Sequence, residues 1–390
     1  MGFNYSCQLG DGSSTDRYTP VRIANGAIAV AAGYQQSFFI ATGEIGFEPK
    51  IVSHPVLQTV VIGGSVTFSV TAAGSGPLSY QWRRNGTEIA SDTGAVLTLN
   101  HVEAGQGGNY SVVVSNSAGS VTSNPAVLTI DPTPRLINVS CRAFAGSGDD
   151  TLIMGFYISG KGEKTLLIRG IGPRLTFYNV PSVVADPRIN VYYDDQIIDG
   201  NNDWDSPLAS VFETFGAFEI IPGSKDAAMM ITLPPGGYTV HLVNDGPVAE
   251  GLIEVYDVSR DLGTRLTNVS CRLSMNAGQT IILGTGLIGG PVGVLARNVG
   301  PGIAEYLPNP SAALPDPHLR VYSGQTDIGA NDDWEAATGA HFGPVGAFGL
   351  AAGSKDAAIR VQFSPGGYTV HATGVAGSSG IALIELYESP

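Results

Sequence analysis

Apolar residues in this chain recur at every second position over short runs, the period of strands with one buried face. In Ser65–Thr71 the alternation places Val66, Phe68 and Val70 on one side. Similar runs follow at Leu78–Arg84, Glu88–Ala90, Ala95–Leu99, Gly108–Val114 and Gly119–Ile130. Six or seven short strands between 50 and 131 match the spacing of a two-sheet sandwich. Next comes Pro132-Thr-Pro134, a stiff linker unable to extend a central strand. Beyond it the pattern predicts strands at Thr151–Ile158, Thr165–Arg169, Arg188–Tyr193, Ala227–Leu233, Gly237–Leu242 and Gly251–Tyr256. A second set is predicted at Thr280–Leu283, Val292–Arg297, His318–Tyr322, Ala357–Phe363, Gly367–Ala372 and Ile381–Tyr387. Helical periodicity is confined to Leu208–Phe215, enough for a turn or two, so the chain reads as all-β.

The two sets belong to a duplication. Arg135-Leu-Ile-Asn-Val-Ser-Cys-Arg142 returns as Arg265-Leu-Thr-Asn-Val-Ser-Cys-Arg272. At the same spacing Asn202-Asp-Trp204 maps onto Asp332-Asp-Trp334 and Gly216-Ala-Phe218 onto Gly346-Ala-Phe348. Gly223-Ser-Lys-Asp-Ala-Ala228 recurs as Gly353–Ala358, and Pro235-Gly-Gly-Tyr-Thr-Val-His241 as Pro365–His371. A repeat of this length exceeds the usual solenoid unit. Each copy is therefore expected to hold its own core, giving two homologous β-sandwich domains at 135–260 and 262–390 behind a sandwich at 50–131.

Composition narrows the function. The 390 residues carry 34 acidic and 20 basic side chains, a net charge of -14, with no basic stripe to neutralise phosphates or an anionic membrane surface. Nucleic acid is not an expected partner, and no apolar run reaches bilayer-spanning length. The 52 glycines and 24 prolines suit short strands joined by tight turns. Of the three cysteines, Cys141 and Cys271 occupy equivalent repeat positions and are each expected to face the core of their own copy. Met1 is followed at once by what reads as the middle of a module, so the sequence is read as a truncated or recombinant fragment whose missing leader says nothing about where the parent works.

Three resemblances add to this reading. Gln8-Leu-Gly-Asp-Gly12, Thr19-Pro-Val21 and Ala29-Val-Ala-Ala-Gly33 resemble one RCC1-like blade, with Cys7 replacing the family glycine and Gln36 its histidine. The resemblance implies a partial propeller-blade segment at 1–46, too little to close a ring. Residues 50–131 resemble the immunoglobulin-like domains of large bacterial surface proteins. Trp82 stands where the strand C tryptophan belongs and Tyr110 where the corner tyrosine belongs, while Val70 and Val112 replace the bridge cysteines. Each long repeat resembles C-terminal repeats of secreted proteins of environmental bacteria such as the Verrucomicrobia, and is distantly similar to the pre-peptidase C-terminal β-sandwich.

Chemistry is thinly represented. His241 and His371 end Tyr-Thr-Val-His, where alternation turns them outward beside Thr239 and Thr369. There is no Gly-x-Ser-x-Gly elbow and no His-Glu-x-x-His. Gly170-Ile-Gly-Pro173 and Val299-Gly-Pro-Gly302 read as turns; the pattern leaves open whether Arg169 and Arg297 before them meet local carbonyls or an acid such as Asp186 or Asp316. Lys225 and Lys355 read as snorkelling, and Asp226 and Asp356 as closing turns. Asn201, Asp203 and Asp205, with their counterparts Asn331, Asp333 and Glu335, concentrate oxygens of the kind Ca2+ takes at about 2.3 to 2.6 Å. The competing reading is a turn in which these residues bond their own backbone.

The function expected is a non-catalytic extracellular or cell-surface array that displays, spaces or adheres, its partners being other protein domains or surface glycans. The alternative is a carbohydrate-binding accessory region of a secreted hydrolase, with Tyr192, Trp204, Tyr322 and Trp334 as platforms.

Overall fold

The computed structural model describes residues 15–16, 27–32, 37–41, 46–90, 92–259 and 263–389. The chain splits into two compact units, Met1–Asp131 and Pro132–Pro390.

In the first unit, β1 (Ala27–Ala32) and β2 (Ser37–Ala41) form an antiparallel ribbon, with no further strand joined to it among the described residues. This corrects the propeller-blade reading of 1–46. Among the described residues no sheet closes or curls, and a two-stranded ribbon lacks the neighbours that make a blade. The Gln8–Gly12 turn lies outside the described residues.

Ten strands follow: β3 (Lys50–Ser53), β4 (Gln58–Val61), β5 (Val66–Ser69), β6 (Thr71–Ala73), β7 (Ser79–Arg84), β8 (Thr87–Glu88), β9 (Val96–Leu99), β10 (Gly108–Asn116), β11 (Gly119–Thr122) and β12 (Ala126–Asp131). One sheet runs β4-β12-β10-β7-β8, with β11 beside β10; β3-β6 and β5-β9 are separate pairs. Trp82 and Val112 are fully buried and Val70 nearly so, giving the apolar packing expected where a disulfide is missing. The Trp82 indole donates to Gly94 O (3.0 Å), and the Tyr110 hydroxyl donates to Gln106 O (2.8 Å), tying a corner back onto the strand.

The second unit holds both long repeats. The first supplies β13 (Arg135–Ala145), β14 (Leu152–Gly160), β15 (Lys164–Ile171), β16 (Arg188–Tyr193), β17 (Gln196–Asn201), β18 (Ala227–Leu233), β19 (Gly236–Val243) and β20 (Ala249–Asp257). The second supplies β21 (Thr264–Met275), β22 (Ile281–Ile288), β23 (Val292–Val299), β24 (Pro317–Ser323), β25 (Thr326–Asn331), β26 (Ala357–Phe363), β27 (Gly366–Gly374) and β28 (Gly380–Glu388). The expectation of two separate sandwiches is corrected by their pairing. One run of strands reads β17-β16-β19-β14 and continues across the repeat boundary as β21-β28-β23-β26. The other reads β18-β15-β20-β13 and continues as β22-β27-β24-β25. Each repeat therefore sends half its strands into each run, and the runs touch where Leu136 pairs Leu266.

The physical reason lies in β13 and β21. Each has a partner from its own repeat on one edge and a partner from the other repeat on the second edge, so splitting the repeats would expose two ladders of backbone polar groups. Apolar side chains of both repeats fill one core, among them Val139, Met154, Ile168, Val269, Leu283 and Ile384. Cys141 and Cys271 lie in that shared core as free thiols rather than in two separate ones. Strands β15 and β20 are apolar on both faces: Leu166 and Ile168 face the shared core, whereas Leu167 and Ile171 face a satellite cluster under the loops of the first repeat. A matching cluster with Leu295 and Val299 lies under the loops of the second.

Candidate functional site

The satellite clusters are where the duplicated motifs converge. In the first repeat the buried Arg169 on β15 sends Nε to Glu254 Oε2 on β20 (2.8 Å), and its Nη2 reaches the same oxygen. Its Nη1 donates to Phe218 O (2.6 Å), and the guanidinium lies 4.2 Å from the Phe218 ring centroid. The other oxygen of Glu254 accepts from the Tyr256 hydroxyl (3.0 Å). The second repeat reproduces most of this: Arg297 Nε to Glu385 (2.8 Å), Nη1 to Phe348 O (2.6 Å), the Phe348 ring at 4.3 Å, and Tyr387 to Glu385 (2.6 Å), while Arg297 Nη2 stays within ion-pair reach of Glu385. The arginines thus meet both a carbonyl and an acid, but that acid is the glutamate of the last strand rather than Asp186 or Asp316. Burial first, then the adjacent glutamate charge, push the Tyr256 and Tyr387 hydroxyls well above their ordinary values. With both tyrosines holding their protons and each glutamate ion-paired, the constellation fixes loops to a sheet.

A second device anchors the same loops. Asp226 is fully buried and accepts from Gly172 N (2.8 Å), Arg174 N (3.2 Å) and the Ser224 hydroxyl (2.8 Å). Asp356 does the same with Gly300 N (2.8 Å), Gly302 N (3.0 Å) and Ser354 (2.6 Å). The glycine-rich turns therefore spend their backbone donors on an internal carboxylate. At Gly172 a β-carbon would run into the Val184 carbonyl, and at Gly300 into that of Leu314, which is why these positions are glycine.

The proposed calcium ligands divide among these anchors. Asn201 Oδ1 accepts from Ala228 N (3.0 Å) and Asn331 Oδ1 from Ala358 N (2.8 Å). Asp203 pairs with Lys225 (3.0 Å) and Asp333 with Lys355 (2.8 Å), both at half-exposed positions. Asp205 and Glu335 precede the short helical turns at Ser206–Leu208 and Ala336–Gly339. Among the described residues no three His, Cys, Asp or Glu side chains come together as a metal site.

The four proposed glycan platforms also lie apart. Trp204 is packed into the first satellite cluster, 8% exposed, with its indole donating to Ile221 O (3.2 Å). Trp334 is half-buried beside Phe342 and donates to Ser354 (3.1 Å). Tyr192 stacks on His241 with ring centroids 4.1 Å apart, and Tyr322 lies 4.6 Å from His371. Each histidine sits 3.3 Å from the threonine two residues earlier, and burial lowers both imidazoles below their ordinary value. Sequence reasoning missed Glu254 and Glu385; the signal was a lone glutamate within the apolar runs Gly251–Tyr256 and Ile381–Tyr387, present in both copies.

Comparison with known proteins covers only part of the chain. The immunoglobulin domain family model matches residues 48–116, so the chain contains an immunoglobulin-like domain. Endoglucanase C of Cellulomonas fimi is 32% identical over 87 residues, 21% of this chain and 8% of that protein. The Decoration protein of Escherichia phage T5 is 37% identical over 78 residues, 20% of this chain and 48% of its own length. Cartilage intermediate layer protein 2 of Mus musculus is 36% identical over 91 residues, 22% of this chain and 8% of that protein. Among solved structures, titin domain M7 is 30% identical and covers 23% of this chain and 98% of its own, with a TM-score of 0.21. The chain thus spans less than half the length of each of these curated relatives. No helix among the described residues is long and apolar enough to cross a membrane.

Proposed function

We propose that the chain is a non-catalytic scaffold of an extracellular or cell-surface protein, holding and presenting domains rather than transforming a substrate. The observation that supports this most is the use of the buried titratable groups. Arg169, Glu254, Asp226 and their copies Arg297, Glu385 and Asp356 are closed upon one another and on backbone, tying loops to sheets. Such pairing leaves these groups without a free base or nucleophile and makes the loops stiff. The immunoglobulin-like domain fits the same role, since sandwiches of this kind are used as spacers and adhesive modules, though the fold itself licenses no activity. The secreted setting and the kinship of the long repeats with bacterial C-terminal modules are part of this proposal.

Single-molecule pulling of the whole chain tests it. A scaffold should extend in discrete, cooperative steps, the largest belonging to 132–390. Gradual lengthening at low force without such a step would contradict it.

A further inference from the structure

The two repeats differ at one edge of the second unit. At the end of β20 the fully buried Asp257 is closed by Lys164, the first residue of β15, at 3.0 Å. In the second repeat Glu388 ends β28 at the matching place, but Val292 opens β23 where Lys164 opened β15. Glu388 turns instead to Arg265 (3.2 Å). Its side chain is 6% exposed, yet its Oε1 has no hydrogen-bond partner among the described residues. A buried carboxylate oxygen left in this state asks for a donor from outside the chain.

Glu388 lines a groove of about 410 Å³ shared with Tyr157, Arg265, Thr267, Asn268 and the turn at 344–346. Tyr157 on β14 and Asn268 on β21 are direct cross-strand partners, and Thr267 is the extra residue of a bulge, a device that re-aims a side chain. Tyr157 is 46% exposed. The other copy lacks this arrangement: Asn138 pairs there with Gly286, which has no ring, and Arg135 is buried with Nη1 on Thr264 O.

We propose that this groove binds a neutral sugar residue, one C–H face of the ring lying on Tyr157 and vicinal hydroxyls bridging Asn268, Arg265 and the carboxylate of Glu388. The chemistry selects the class. Above about pH 7, where Glu388 is ionised, its carboxylate only accepts and the guanidinium only donates, so side by side they suit a diol, whose hydroxyls do both. Because the ion pair carries no net charge, an anion meets Glu388 and a cation meets Arg265, and neither gains. The amphipathic tyrosine face beside a few convergent polar groups is the usual make-up of a small-ligand cleft. The site goes beyond the scaffold reading and does not depend on it.

Calorimetric titration of the whole chain with methyl glycosides of glucose, galactose, mannose and N-acetylglucosamine tests the assignment, with acetate and tetramethylammonium as charged controls. At least one glycoside should bind saturably. Tyr157→Ala should weaken it about tenfold and Asn268→Ala about fivefold, while Tyr157→Phe keeps it within about twofold, each variant melting like the parent. Absence of saturation with every glycoside, binding indifferent to Tyr157→Ala, or tighter binding of either charged control would overturn the site. None of these results would alter the pulling experiment, so the two proposals fail separately.

Discussion

Glu388 shows how one buried side chain becomes a pH-dependent property of the fold. Burial lifts its carboxyl from 4.5 to about 7, against the opposing pull of Arg265 and then Arg135. The folded chain therefore binds a proton that the unfolded chain releases between those two values. This stabilising proton is fully present below about 4.5 and is lost as the pH rises through about 7. Glu388→Gln keeps the shape and removes the charge. The melting temperature of the variant relative to the parent should accordingly rise between pH 5 and pH 8, through the linkage of this one group. A difference that does not change with pH would show that Glu388 titrates as if exposed.

At the scale of the element, most strands could be read from alternation, and the exceptions are informative. Arg188–Tyr193 and Ala227–Leu233 were predicted to the residue, since each presents apolar side chains in a clean strand pattern. Strands β13 and β21 were missed, although their sequences are the most obvious repeat in the chain. The bulges at Ile137 and Thr267 put Leu136 and Val139, and likewise Leu266 and Val269, on one face three residues apart, which breaks the period of two. The edge strands β17 and β25 are absent from the predicted set, because they are largely exposed and carry no alternating apolar face. In the caps, Asp226 and Asp356 were correctly read as closing turns, but the partner of Arg169 was not legible, because Glu254 lies 85 residues away and meets it only through strand pairing.

That pairing fixes a mutational expectation for the cap. Arg169→Ala leaves Glu254 buried without its cation and removes the ring contacts to Phe218 and Phe212. Breaking a buried pair from one side costs about 3–5 kcal/mol. Chemical denaturation of 132–390 should show a loss of this size, and limited proteolysis should cut first within 203–226. A loss below about 1 kcal/mol, the size of an exposed pair, would mean that the cap is held by something else.

For the molecule as a whole, the duplication was legible and its consequence was not. A constant spacing of motifs says that a unit was copied; it does not say whether the copies fold apart or through one another. The difference is decided by which edges β13, β14, β21 and β22 present, and a sequence read strand by strand carries no edge assignment. In the structure each repeat completes the sheets of the other, and the shared core draws on both. Stability should then belong to 132–390 as one cooperative unit.

Separate production of 135–260 and 262–390, with 132–390 as the reference, measures this directly. Neither half should show a cooperative monomeric melt, and mixing the halves should restore one transition close to that of the joined unit. If each half alone unfolds cooperatively as a monomer at the temperature of the whole, the interleaved sheets are not what holds this unit together.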